Sequence, residues 1–169
     1  MSHSYEWLRN TTPYFNQTLI LVNNQIETNA QHYKFVAVIN KDIELSGVAM
    51  NVVAHLSAGL VGSAPEDLKE KMTFIDFTDN DQNIHPSISA LSLVVLRGKN
   101  GEINKLKNEA IANNIHFVDF LESMTGGTYK EQLEKTATLS KDTLKFYGIM
   151  LFGTKESLQP LTKKFSMWR

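Results

Sequence analysis

The feature that most constrains the fold is a regular alternation between short apolar runs and longer segments of helical character. Four of the runs have strand length: YKFVAVIN (33–40), LSLVVLRG (91–98), IHFVDFL (115–121) and LKFYGIMLFG (144–153). Largely continuous apolar runs of this length are typical of strands that are covered on both faces. Strands of this kind alternating with helices predict an α/β sandwich of about four main strands covered by helices.

Capping residues, turn residues and periodicity place the remaining elements between these strands. The pattern after Phe74 predicts a hairpin with its tip near Asn80–Asn83. The other segments predict helices: 44–60 with Ser46 as N-cap, a short turn at 64–71, 100–114, 128–138 with Thr128 as N-cap, and 154–165, which Pro160 should end or bend.

The first 32 residues differ from the rest of the chain. They are rich in Asn, Gln and Thr and carry Trp7, Tyr14 and Phe15. We interpret residues 1–32 as an N-terminal extension that packs its aromatic side chains on the domain or on a partner subunit. Residues 33–169 then form a single α/β domain, a length that suits one hydrophobic core.

Composition excludes several classes of protein. The formal net charge is −1, which removes the general electrostatic case for nucleic-acid binding, although a local basic patch is left open. The sequence has no cysteine, and its apolar runs are much shorter than a membrane span. No signal peptide is apparent. We therefore expect a cytoplasmic protein with no membrane partner.

The helix predicted at 44–60 carries two polar residues, Asn51 and His55, in a segment of small and apolar residues. At 100° per residue, one arc is apolar and should pack on the sheet: Leu45, Ala49, Val52, Val53, Leu56 and Leu60. The opposite strip is small apart from the polar pair: Gly47, Asn51, Ala54, His55, Ala58 and Gly62. A strip of small residues allows a ligand, a helix or a second subunit to approach closely.

The polar pair has two interpretations. In the functional one, Asn51 and His55 point into a cleft beside the end of the first strand, where α/β sheets usually bind ligands. His55 would then act as a general base or a hydrogen-bond donor, with Asn51 orienting a carbonyl or a water. In the structural one, which is the more frequent situation, both side chains are satisfied by internal hydrogen bonds.

Other chemical motifs are weak. The histidines have no metal-ligand spacing, and no dinucleotide, Walker or nucleophile-elbow motif is present, so we expect neither a metal nor a cofactor. Gly126 and Gly127 precede a helix start, an arrangement that can bind an anion but also serves as a simple turn. Asp119 lies at a predicted strand end and Asp42 follows the first predicted strand, and two carboxylates at strand ends on one edge can form an acid–base pair.

Residues 33–165 resemble a bacterial family, domain-of-unknown-function family 2000. The resemblance lies in the order of KFVAVINKDIELSGVAMNVVAHLSAGLVGSAPE, TDNDQNIHPSIS, LSLVVLRGKNGEINKLKNEAIANNIHFVDF and LKFYGIMLFGTKESLQPLTKKF. Members of that family are similar in fold to the type II peptidyl-tRNA hydrolases. The resemblance therefore implies a three-layer sandwich with a mixed sheet between helices.

The hydrolase site is only partly matched. Those enzymes carry a lysine in a glycine-rich turn before the first helix, and an aspartate and threonines in a loop after a later strand. Here Asp42 matches, but the turn IELSG contains no lysine. Asp119, Thr125 and Thr128 are of the right types at a different spacing. The catalytic set of the hydrolases is therefore not retained.

Two functions follow, and the sequence leaves open whether the chain is an enzyme. The first is a small-molecule-binding or regulatory domain in which Asn51, His55, Thr125 and Thr128 contact the ligand. The second is a hydrolase of peptidyl-tRNA or another amide or ester with a rearranged site, for which His55, Asp42 and Asp119 are the catalytic candidates. A homodimer through the small strip is a third interpretation.

Overall fold

The computed structural model of the protein describes residues 23–169, in which strands alternate with helices as the sequence predicts. The elements are α1 (23–32), β1 (Tyr33–Asn40), α2 (Ser46–Ser63), α3 (Glu66–Lys69), β2 (Phe74–Thr78), β3 (Ile84–Ser89), β4 (Leu93–Gly98), α4 (Asn100–Ala112), β5 (His116–Leu121), a 3-10 turn (Glu122–Met124), α5 (Tyr129–Ala137), β6 (Phe146–Thr154), α6 (Lys155–Thr162) and β7 (Ser166–Met167). The predicted packing of Trp7, Tyr14 and Phe15 lies outside the described residues.

Five strands form one mixed sheet in the order β5-β6-β1-β4-β7. Strand β1 is parallel to β4 and antiparallel to β6, while β5 and β7 pair antiparallel with β6 and β4. The prediction of about four main strands missed β7. That strand has only two residues, which is too short to show an alternating pattern, and it directly follows the segment 154–165 that is predicted as the last helix.

Strand β1 divides the hydrophobic core into two halves. Phe35, Ala37 and Ile39 face α2, while Val36 and Val38 face α4 and α6. Residues 35–40 are all buried, as expected for a strand covered on both faces. The protein is therefore an α/β domain with helices on both sides of its sheet.

Helix α2 presents most of the predicted apolar arc to the sheet. Ala49, Val52, Leu56 and Leu60 are buried. Leu45 is 69% exposed, so its assignment to the arc was wrong. It precedes the helix in an extended conformation and is itself the N-cap, which also corrects the assignment of Ser46 to that position. In α6, Pro160 lies inside the helix, so the prediction that it ends the helix was wrong.

The two-stranded sheet of β2 and β3 forms the predicted hairpin, with its turn at residues 79–83. Asp79 holds the turn, because its carboxylate accepts hydrogen bonds from the side chain and backbone of Asn83 and from the backbone of Asp81. These bonds, that of the Asn83 side chain first, hold the pKa of Asp79 below its ordinary value. Asp79 thus stabilises a solvated turn.

No helix within residues 23–169 is both long and apolar enough to cross a membrane.

Helix α2 approaches β6 closely at Gly148. A Cβ atom there would lie 2.9 Å from Ile39 Cδ1 and 3.0 Å from both Leu56 Cδ1 and Val52 Cγ1. We expect Gly148→Ala to lower the free energy of unfolding by about 1–3 kcal/mol, because it overpacks this contact. Urea denaturation measures the change.

The matched control is Gly62→Ala at the exposed end of α2, where an added Cβ meets nothing within 4 Å. Because alanine favours a helix over glycine by up to about 1 kcal/mol, that variant should be neutral or more stable. Equal stability of Gly148→Ala and wild type would show that the contact is not tightly packed.

Candidate ligand-binding cleft

A cleft of about 1010 Å³ lies between the first half of α2 and the segment from Met124 to Thr136. One wall is the exposed flank of α2, and the opposite wall is α5 with the turn that precedes it. The lining residues are Gly47, Val48, Asn51, His55, Phe120, Met124, Thr125, Gly126, Gly127, Thr128, Tyr129, Gln132, Leu133, Thr136 and Tyr147.

Asn51 and His55 both lie on this cleft and are exposed. The His55 ring packs beside the ring of Phe120, with 5.7 Å between centroids and 43° between planes. Within residues 23–169, neither Asn51 nor His55 forms a side-chain hydrogen bond with the protein. The internal partners that the structural interpretation requires are therefore not found in the described part of the chain.

Thr125 and Thr128 also line the cleft, but their hydroxyl groups are engaged. The Thr125 hydroxyl donates to the carbonyl oxygen of Glu122 at 2.6 Å. The Thr128 hydroxyl donates to Glu131 Oε2 at 2.9 Å and accepts from the Glu131 backbone N–H at 3.3 Å. Thr128 is the predicted N-cap of α5, and both threonines hold the wall of the cleft in shape.

The glycine pair before α5 forms a turn beside the carboxylate of Glu131. Gly126 and Gly127 have φ angles of 72° and 68°, a conformation that side chains disfavour. The Thr128 backbone N–H donates to Glu131 Oε2 at 2.6 Å. This bond and that of the Thr128 hydroxyl hold the pKa of Glu131 below its ordinary value. Glu131 therefore occupies the position where an external anion would bind.

Asp42 and Asp119 lie apart from His55. Asp42 lines a second cleft of about 540 Å³, beside the end of β1. Asp119 pairs with Ile149, which belongs to the core under α4, and its Oδ2 lies 2.6 Å from Lys107 Nζ of that helix. Asp119 thus lies within β5 on the opposite sheet face. Asp42 and Asp119 do not come together as the suggested acid–base pair, because Asp119 points to the other face of the sheet. The sequence did not show which way the side chains of β5 point.

The main residues that sequence analysis missed lie on α5. Tyr129 and Leu133 are 80% and 72% exposed, and no residue of α5 is buried. Together with Gln132 and Thr136 they follow the spacing i, i+3, i+4 and i+7, which places all four on one helix face. That face lines the cleft. The spacing was readable in YKEQLEKTA, but it is equally typical of a helix that packs on a core.

A comparison with known protein families shows which family this chain belongs to. The sequence profile described as protein of unknown function (DUF2000) matches residues 33–169. The chain belongs to the DUF2000 family. The matched region of this DUF2000 protein includes every residue that lines either cleft.

A solved structure of a protein of unknown function from Agrobacterium tumefaciens strain C58 is similar to this DUF2000 protein. The TM-score is 0.68 at 20% sequence identity, and the similarity covers 81% of this chain and 98% of that chain. At this identity the likeness shows the fold alone. Among curated proteins, none matches the sequence.

Within residues 23–169 of this DUF2000 protein, no three His, Asp or Glu side chains come together in an arrangement that would hold a metal ion. The described residues that line the larger cleft carry apolar groups, amides, hydroxyls and one imidazole. Such a lining can orient a ligand by hydrogen bonds while burying its apolar part.

The lowered pKa of Glu131 predicts that the start of α5 depends on pH. Because the folded-state pKa lies below the unfolded one, the stabilisation is present above the unfolded pKa and is lost as pH falls through the folded pKa. We expect the hydrogen-exchange protection of α5 to decrease once the pH is lower than about 4.3. In Glu131→Gln, this pH dependence should largely disappear.

The control is Glu134→Gln on the same helix, which removes an exposed carboxylate that does not cap the helix. It should keep the pH dependence of the wild type. Protection of α5 that stays constant in the wild type between pH 6 and pH 3 would contradict the role of Glu131.

Proposed function

We propose that the protein is a small-molecule-binding or regulatory domain and that its ligand occupies the cleft between α2 and α5. Asn51 and His55 are its principal polar contacts. One observation carries the proposal. The two exposed side chains lack partners within the described residues, and they face a helix that buries none of its own residues.

The apolar surface of the cleft supports this proposal. Tyr129 and Leu133 expose most of their side chains, and Val48 and Tyr147 lie on the other side of the opening. Each square ångström of apolar surface that a ligand covers contributes roughly 25 cal/mol. A ligand that covers these residues would therefore stabilise α5 as well as fill the cleft.

The finer description of the fold is part of the proposal. We propose a type II peptidyl-tRNA hydrolase-like sandwich in a bacterial, cytoplasmic protein. The mixed sheet with helices on both faces and the similarity to an Agrobacterium protein support it. The hydrolase lysine has no counterpart in the turn before α2, where Glu44 and Gly47 stand.

Hydrolysis of peptidyl-tRNA or of another amide or ester is the less supported function. A general base usually needs a third group that orients it, and within the described residues no carboxylate lines the cleft of His55. Asp42 belongs to the neighbouring cleft and Asp119 to the other sheet face. A nucleic-acid substrate would also favour basic residues, and none is among the described residues that line this cleft.

A fragment screen tests the binding proposal. The library contains equal numbers of neutral, cationic and anionic fragments, and binding is followed by two-dimensional NMR of the labelled protein. We expect some fragments to shift the amide resonances of residues 47–55 and 125–136. Asn51→Ala should weaken them about tenfold, because the loss of a hydrogen bond is worth on the order of 1 kcal/mol.

The matched control is Asn108→Ala, which removes an exposed asparagine from α4 on the opposite side of the sheet. It should leave the affinities unchanged. If no fragment shifts the cleft resonances, or if Asn108→Ala weakens binding as much as Asn51→Ala, the cleft is not the binding site.

A homodimer through the small strip of α2 is a separate proposal. Gly47, Ala54, Ala58 and Gly62 are exposed, which leaves room for a second copy of the helix. Sedimentation of the wild type should then show a dimer that Ala58→Arg converts to a monomer. A wild-type monomer at concentrations up to about 1 mM, which corresponds to roughly 4 kcal/mol of binding, would exclude a useful contact.

A further inference from the structure

The larger cleft has no charged side chain among the described residues that line it. Its polar groups are the amides of Asn51 and Gln132, the imidazole of His55 and the hydroxyl groups of threonine and tyrosine. Nothing in this lining can form an ion pair with a carboxylate, a phosphate or an ammonium group while His55 is neutral. The cleft can nevertheless offer both donors and acceptors of hydrogen bonds.

The neighbouring cleft has the opposite character. Three carboxylates line it, those of Asp42, Glu44 and Glu122, against the single ammonium group of Lys145. Lys145 Nζ lies 3.9 Å from Glu122 Oε1, so its charge is shared with that residue. Val48 and Tyr147 line both clefts and form the boundary between them. The described lining of this neighbouring cleft therefore carries more negative than positive charge.

Charge decides which ligands this arrangement favours. A charged group that leaves water without gaining an ion partner loses hydration free energy, which disfavours both signs in the larger cleft. The carboxylates of the neighbouring cleft repel an anion and attract a cation, but solvent screens both effects because Asp42 and Glu44 are exposed. The loss of hydration therefore dominates for both signs. A neutral amide or similar group loses little, since hydrogen bonds with amides and imidazole replace those with water.

We infer that the ligand is an uncharged molecule with an aromatic or aliphatic body and an amide-like head group, an inference that rests on the proposed binding function. The head group meets Asn51 and His55, where one amide can exchange two hydrogen bonds with the Asn51 carboxamide. The body lies against the apolar residues of the opposite wall and the boundary: Val48, Tyr129, Leu133 and Tyr147.

Two matched series of probes test the ligand class. Indole-3-acetamide, tryptamine and indole-3-acetate share one body and differ in head-group charge, and phenylacetamide, phenethylamine and phenylacetate repeat the comparison on a smaller body. Each is titrated at pH 7.5 and constant ionic strength, and the shifts of residues 47–55 and 125–136 give its Kd. We expect the amides to bind tightest, at least about tenfold tighter than the carboxylates.

Each outcome separates the ligand class from the binding function. Cleft binding in which a carboxylate or an amine equals or exceeds its amide overturns the neutral class and leaves the binding function standing. Absence of cleft shifts with all six compounds overturns the ligand class, and the fragment screen then decides whether the binding function stands. Amides that bind tightest in both series support both.

A charge-introducing variant sharpens the test. Asn51→Asp places a carboxylate in the cleft with little change in volume, so it should weaken the amides and strengthen the amines. Asn108→Asp places the same charge on α4, behind the sheet, and should change neither. If the two variants alter the order of head groups equally, the selectivity arises from the overall charge of the protein and the inference is wrong.

Discussion

The packing of α2 on β1 and β6 determines where a binding cleft can form on this protein. Val52 and Leu56 reach the sheet at Gly148, where the absent side chain lets the helix lie close to β6. Because the buried residues of α2 follow a helical period, the opposite strip necessarily faces outward. Asn51 and His55 lie on the edge of that strip nearest the end of β5, as the contact of His55 with Phe120 shows.

Helix α5 is held by a different set of interactions. It buries no residue, so its position depends on the Thr128–Glu131 capping box, the bond between Ser123 and Thr136 hydroxyls, and the bond from Gln132 to the Gly126 carbonyl. Local hydrogen bonds of this kind are each worth about 1 kcal/mol, less than the burial of one large apolar side chain. The face of α5 that carries Tyr129 and Leu133 is exposed, whereas the apolar face of α2 is buried against the sheet.

Sequence patterns predicted the helices and strands better than the contacts that these elements make. The strands at 33–40 and 115–121 and the cap at Thr128 are confirmed because each depends on local preferences. Strand β7 was missed since two residues carry no period, and Leu45 was misplaced because a helical wheel cannot show that the helix begins one residue later. Asn51 and His55 could be found from their spacing. The wall of the cleft that α5 forms could not, because only the tertiary fold brings α5 next to α2.

The separation of charge between the two clefts supports the proposed binding function over the proposed hydrolase function. A hydrolase would need the imidazole of His55 and a carboxylate within hydrogen-bond distance, since the carboxylate orients the base and stabilises its protonated form. The carboxylates instead lie beyond Val48 and Tyr147 or are paired elsewhere, as Glu122 with Lys145 and Asp119 with Lys107. Without such a partner, His55 can donate or accept a hydrogen bond but has no carboxylate that would orient it as a base. Under the proposed function, a cleft whose described lining is uncharged, beside an acidic one, would discriminate among ligands by charge.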